Sequence, residues 1–106
     1  MTDYRIVLTT IDTREAAAKL AHTLVEQRLA ACVNIIGPIE SIYRWQEKLE
    51  SAGEFLLLIK TTAAQFCAVR DAVRQLHSYE LPECVSVAID DGSEKYLAWL
   101  HDNVKK

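Results

Sequence analysis

From Cys32 to Trp45 the chain runs fourteen residues, Cys-Val-Asn-Ile-Ile-Gly-Pro-Ile-Glu-Ser-Ile-Tyr-Arg-Trp, interrupted only by Gly37-Pro38. Extended at roughly 3.3 Å per residue, such a stretch is about 46 Å long. A domain of about 100 residues has a radius of gyration near 13 Å, so it is roughly 34 Å across. A strand of this length therefore overhangs the core of a 106-residue chain, carrying Ile42, Tyr43 and Trp45 with it. Large apolar side chains beyond the core predict a partner surface, and the chain reads as one subunit of an assembly.

The totals narrow the classes. A chain of 106 residues makes one domain spanning 1–106, large enough for a core of its own. The net charge of -3, with no basic stripe, gives no footprint for nucleic acid. No apolar run approaches the ~20 residues of a membrane span, and the first residues lack a signal-peptide pattern. Cys32, Cys67 and Cys84 are odd in number, widely spaced and without a C-x-x-C pair. That pattern suits a reducing compartment and not a structural zinc site, so a cytoplasmic protein is expected.

Arg5 to Ile11 reads as a central strand, apolar on both faces. Asp12, with Glu15 three residues on, forms a capping-box pattern before a helix that buries Ala17, Leu20, Ala21, Leu24 and Val25. The long strand follows, with a bulge or bend predicted at Gly37-Pro38. A turn over Gln46 to Gly53 leads into an apolar strand, Glu54 to Lys60. Thr62-x-x-Gln65 reads as a second capping box, opening a helix buried through Phe66, Val69, Val73 and Leu76. Pro82 disfavours helix at Leu81, and Cys84 to Ile89 alternates as a strand. Ser93 caps a last helix that buries Leu97, Leu100 and Val104. The order βαββαβ plus a terminal helix is the split βαβ pattern, with two helices on one face of a four-stranded antiparallel sheet.

Among candidate functional residues, His22 and His101 read as exposed and inert. His77 ends the second helix, where a cationic ring caps the last carbonyls. The competing reading is a ligand or proton donor in a cluster with Tyr79, Glu80 and Glu83, although one His with loop carboxylates is a weak metal signal. Cys32 reads as a buried small hydrophobe, and Cys67 and Cys84 as unactivated. Lys60 either snorkels to solvent or presents its charge to an anion. No G-x-S-x-G, glycine-rich phosphate cradle, H-E-x-x-H or D-x-D-x-D-G loop is present, so nothing requires catalysis. Acylphosphatase chemistry shares the element order but needs a phosphate loop after the first strand. Thr9-Thr-Ile-Asp-Thr13 holds no glycine there, and Asp12 repels phosphate.

Leu29-Ala-Ala-Cys-Val-Asn-Ile35, Ser41-Ile-Tyr-Arg-Trp45, Leu58-Ile-Lys-Thr61, His77-Ser-Tyr-Glu-Leu-Pro-Glu83 and Tyr96-Leu-Ala-Trp99 together resemble the CutA divalent-cation tolerance family. The blocks lie in order from about Ile6 to Leu100. The resemblance implies an α+β, ferredoxin-like βαββαβ sandwich with an extended β-hairpin and a C-terminal helix. It also implies a homotrimer in which the hairpins pair across subunits, and a link to copper and other divalent cations without an organic cofactor. On that resemblance His77, Glu80 and Glu83 are the expected metal ligands for copper(II) or another divalent cation. Cys32, Tyr43, Trp45, Lys60, Tyr79 and Pro82 are expected to line an inter-subunit cleft. Some members of the family are credited with copper ligation by a first-strand Cys and two adjacent His before Pro-Tyr. This chain has Thr9, Leu76, His77 and Ser78 at those places, leaving one of those three ligands, and Glu47 stands near the usual hairpin glycine. The alternative reading is a trimeric module that binds a small anion or nucleotide, with Lys60, Tyr43 and Trp45 lining the cleft, or a scaffold without a physiological metal.

Overall fold

The computed structural model describes residues 2–106. Strand β1 (Tyr4–Ile11), helix α1 (Arg14–Glu26), strands β2 (Cys32–Trp45) and β3 (Lys48–Thr62), helix α2 (Phe66–Leu76), strand β4 (Val85–Ala88) and helix α3 (Glu94–Asn103) follow in order. All strand pairs are antiparallel, in the spatial order β2-β3-β1-β4. This is the α+β, ferredoxin-like arrangement expected, with its long hairpin and terminal helix. The fourteen-residue strand is present in full, and the molecule measures 45 × 25 × 22 Å because the β2–β3 hairpin projects beyond the layered body. No helix among the described residues is long and apolar enough to cross a membrane.

The sheet has two unlike faces. Val7, Ile11, Leu57 and Ile59 point toward the helices and pack on Ala17, Leu20 and Leu24 of α1 and Val69 and Val73 of α2, all essentially buried. The other face carries Ile6 and Leu8, which sit across from Val87 and Val85. Leu58, Leu56 and Ile36 continue it through the β1–β3 and β2–β3 registers. Helix α3 covers only the end of the molecule away from the hairpin tip, packing Leu100 and Val104 on Ala31 and Tyr4. Ile36, Val85 and Val87 stay 45%, 47% and 48% exposed.

Several local expectations are corrected. The α1 cap is Thr13, whose hydroxyl accepts from the Ala16 N–H, and not Asp12. The helix buries Ala17, Leu20, Ala21 and Leu24, but Val25, at its last turn, is exposed. The turn between β2 and β3 is only Gln46-Glu47, both at positive φ (50° and 65°), the backbone of a two-residue hairpin turn. Without the usual Asn or Gly there, the polar stretch Lys48–Gly53 reads as loop. It is strand because it pairs residue by residue with Glu40 to Trp45. A single 3-10 turn (Ala63–Gln65) replaces the second capping box: Thr62 makes no side-chain cap, and the Gln65 amide instead donates to the Lys105 carbonyl at 3.0 Å. Helix α2 buries Val69 and Val73, while Phe66 is half-buried and Leu76 exposed. Ser93 holds the N-cap position of α3 without a side-chain bond, and Leu97 is half-buried.

The register shifts between Ile36 and Ile39, at Gly37-Pro38 as predicted. A Cβ on Gly37 would lie 2.6 Å from the Phe55 ring and 3.0 Å from the Glu54 carbonyl oxygen, at φ +157°. Only glycine lets the bulge lie this close to β3.

Candidate functional site

The chain between α2 and β4 is fastened to the sheet at two points. His77 is the C-cap of α2; its N–H donates to the Val73 carbonyl at 2.9 Å and its extended backbone turns the chain toward β1. The imidazole Nε2 lies 2.6 Å from the Thr10 carbonyl oxygen, and Nδ1 is 3.1 Å from the Tyr79 amide nitrogen. A carbonyl only accepts and a backbone N–H only donates, so the proton sits on Nε2 and Nδ1 accepts. Both ring nitrogens are thus engaged by the backbone.

The second fastening is Tyr79. Its ring lies against His77, centroids 4.5 Å apart, and its hydroxyl donates to Glu54 Oε2 at 2.7 Å. Burial pushes the Tyr79 phenol above its ordinary range, helped by the hydrogen bond to Glu54 and its charge, and more weakly by Asp12 and Tyr43. Glu54 is 6% exposed, which makes it the most buried ionisable side chain here. Tyr79 is its one hydrogen-bond partner among the described residues, and no cation pairs with it. Sequence reasoning missed it because it stands first in an apolar run and reads as a solvated strand end. The available signal was its place as the sole charge in Glu54–Ile59.

The expected metal set does not assemble within one chain. His77 has no free nitrogen, Glu80 and Glu83 are exposed on the loop, and no three His, Cys, Asp or Glu side chains gather to hold an ion among the described residues. The residues therefore do not fit a copper centre built by a single protomer, where a transition metal would need several such donors.

The expected cleft residues fall in separate places. Cys32 is half-buried, not buried, with its Sγ 4.0 Å from Asn34 Oδ1. It lies opposite Lys60, whose Nζ is 5.8 Å from the Tyr96 ring, itself packed on Trp99. Lys60 thus lies along an aromatic ring at the α3 end of the molecule. Half-buried Pro82 and Tyr79 belong to the α2–β4 loop. Tyr43 and Trp45 lie on the projecting hairpin, 43% and 40% exposed. Thirteen residues of strand, about 43 Å, separate Cys32 from Trp45. One chain cannot close a cleft from both ends. Elsewhere, His22 and His101 are exposed, Cys67 is exposed, and burial pushes the Cys84 thiol up against the opposing pull of Arg70 and Arg74.

The fold and this arrangement define a class: a ferredoxin-like protein with a projecting apolar hairpin and, among the described residues, no group of three His, Cys, Asp or Glu side chains that could hold a metal. The profile of the CutA1 divalent ion tolerance protein family matches residues 5–103, nearly the whole chain. The chain belongs to the CutA family. It is 46% identical to the divalent-cation tolerance protein CutA of Thermus thermophilus over 98 residues, covering 92% of this chain and 95% of that protein. A chloroplastic CutA of Arabidopsis thaliana is 42% identical over 94% of this chain, which spans only 55% of the plant protein's length. Among solved structures, the T. thermophilus protein superposes with a TM-score of 0.94 at 44% identity, covering 96% of this chain and 99% of that one. CutA of Xylella fastidiosa gives 0.95 at 36% identity, covering 98% and 100%.

Proposed function

We propose that the protein acts as a homotrimer in tolerance of divalent cations, holding copper(II) or another divalent ion weakly, without catalysis and without an organic cofactor. The observation that carries this reading is the overhang on a chain of the CutA family. Ile42, Tyr43, Trp45 and Leu49 are 66%, 43%, 40% and 71% exposed on a hairpin with no core of its own beneath it. Exposed apolar area of this kind is stabilised by a protein partner, and the apolar sheet face offers a second contact. Metal binding on this reading draws donors from adjoining protomers, with Glu80 and Glu83 available on the surface and His77 occupied. Copper binds most N/O donor groups more tightly than other common divalent ions do, so stoichiometry informs more than affinity.

Sedimentation velocity tests the assembly, with three times the 12.0 kDa chain mass expected. Calorimetric titration of the metal-free protein with copper(II) tests the ion. Saturable binding in a fixed ratio to the trimer, of equal strength in His77→Ala, is expected. Absence of saturable binding, or its loss in His77→Ala at unchanged assembly, would overturn this account of the site.

A further inference from the structure

The most exceptional group left unexplained is the Glu54 carboxylate, buried and without a cation. Buried charges are paired, because an isolated one costs far more than a surface charge. The unpaired lysine at the hairpin tip is its counterpart. Lys48 is exposed and makes no hydrogen bond or ion pair among the described residues. Strand register puts both on one face, since side chains two, four and six residues apart on a strand point the same way. Trp45 pairs with Lys48, Tyr43 with Glu50 and Ile39 with Glu54, so the tip presents Tyr43, Trp45 and Lys48 on the face that carries Glu54 at its root. Arg44 pairs with Leu49, on the opposite face, and its guanidinium turns back to the Glu47 carbonyl at 3.5 Å.

Lys48 cannot reach the Glu54 of its own chain. Six residues of extended strand separate them, about 20 Å, several times the reach of a lysine side chain. We propose that the hairpin tip of a second copy docks over the root of the first, its Lys48 ammonium against the buried Glu54 carboxylate, with Trp45 and Tyr43 on the apolar sheet face around it. The occupant is a second copy because the tip carries both things the root lacks, a free cation and apolar cover. Tyr79 sets the receiving end by holding Oε2 of Glu54, which leaves the other oxygen for the ammonium. A small metal ion suits the niche less well, because three ligating side chains do not gather there. The contact joins tip to root, two different patches, and such a head-to-tail contact closes into a ring under cyclic symmetry.

This inference rests on the oligomeric reading above, and the test separates them. Wild-type protein is first sedimented over a dilution series. A 12.0 kDa species at every concentration overturns the oligomer, and this contact with it. If wild type assembles, a double-mutant cycle of Lys48→Met and Glu54→Gln is read as dissociation constants. Each single change is expected to raise the constant about tenfold or more, and the double change to cost no more than the worse single, as for close charge pairs at interfaces. Effects that multiply independently overturn the contact while leaving the oligomer standing. Should Glu54→Gln fail to fold, Lys48→Glu decides alone, since Lys48 is exposed and free. It must disperse the assembly at a concentration where wild type is intact, and unchanged dissociation overturns the contact.

Discussion

Tyr79→Phe isolates a single hydrogen bond at the heart of the candidate site. The substitution keeps the ring that lies against His77 and deletes the hydroxyl that donates to Glu54 at 2.7 Å. Glu54 has no other hydrogen-bond partner among the described residues and is 6% exposed, so water cannot fully replace the donor. Hydrogen bonds to charged groups contribute about 1.5–3 kcal/mol, and that is the expected loss. With a urea slope of about 1–3 kcal/mol per molar, the midpoint falls by about 1 M. Trp45 and Trp99 report the transition by fluorescence, and protein concentration is held fixed because assembly shifts apparent stability. The pH dependence has a definite sign. The folded state holds the phenol proton more tightly than the unfolded chain, so the stabilisation is complete below the ordinary tyrosine range, about pH 10, and is lost progressively as pH rises from there toward the raised folded value. The gap between wild type and Tyr79→Phe therefore narrows above about pH 10, and the Cys84 thiol, present in both, cancels in the difference. Equal midpoints at pH 7, or a gap that stays constant into alkali, would refute the reasoning.

Thr9 and Thr61 face the same side of the sheet and are expected to respond oppositely to valine. The Thr9 hydroxyl is buried without a partner, so Thr9→Val stabilises by about 1–2 kcal/mol. The Thr61 hydroxyl donates to the Leu29 carbonyl at 2.6 Å, so Thr61→Val destabilises by about 1–3 kcal/mol; urea midpoints of the two variants check both signs. Gly37→Ala sets a methyl against the Phe55 ring and the Glu54 carbonyl, and a loss of at least about 1 kcal/mol in the same assay is expected. A fully stable Gly37→Ala would show that the bulge can move off β3.

The fold was legible because its signals are periodic. The stripe Ala17, Leu20, Ala21 and Leu24 repeats at helical spacing, and the apolar run Phe55–Ile59 exceeds anything a surface loop tolerates. What escaped depends on pairing across the fold. Residues Lys48–Gly53 are polar and glycine-bearing, and only the facing strand makes them strand. Thr62-x-x-Gln65 has the letters of a capping box, yet Gln65 spends its amide on the far C-terminus. At the site, the sequence pointed to His77 and Tyr79 but not to their partners. The carbonyl of Thr10 is 67 residues away in the chain and the carboxylate of Glu54 is 25, and no local pattern records either. A histidine beside loop carboxylates therefore looked like a ligand, whereas both nitrogens are spoken for by the backbone.

The two-residue turn has a consequence for the order in which this protein becomes rigid. It joins strands of fourteen and fifteen residues, so the outer rungs of the ladder, Ile42–Ser51 to Trp45–Lys48, join residues close in sequence and close with little entropic loss. They are also the rungs with no helix behind them. In an isolated protomer their amides should exchange with solvent by local fraying, while those of β1 and the inner half of β3 wait for global unfolding. A second copy seated on the tip would remove that difference. Protection of the outer amides is then a function of protein concentration, and amide exchange at two dilutions would show the hairpin completing its order only on association.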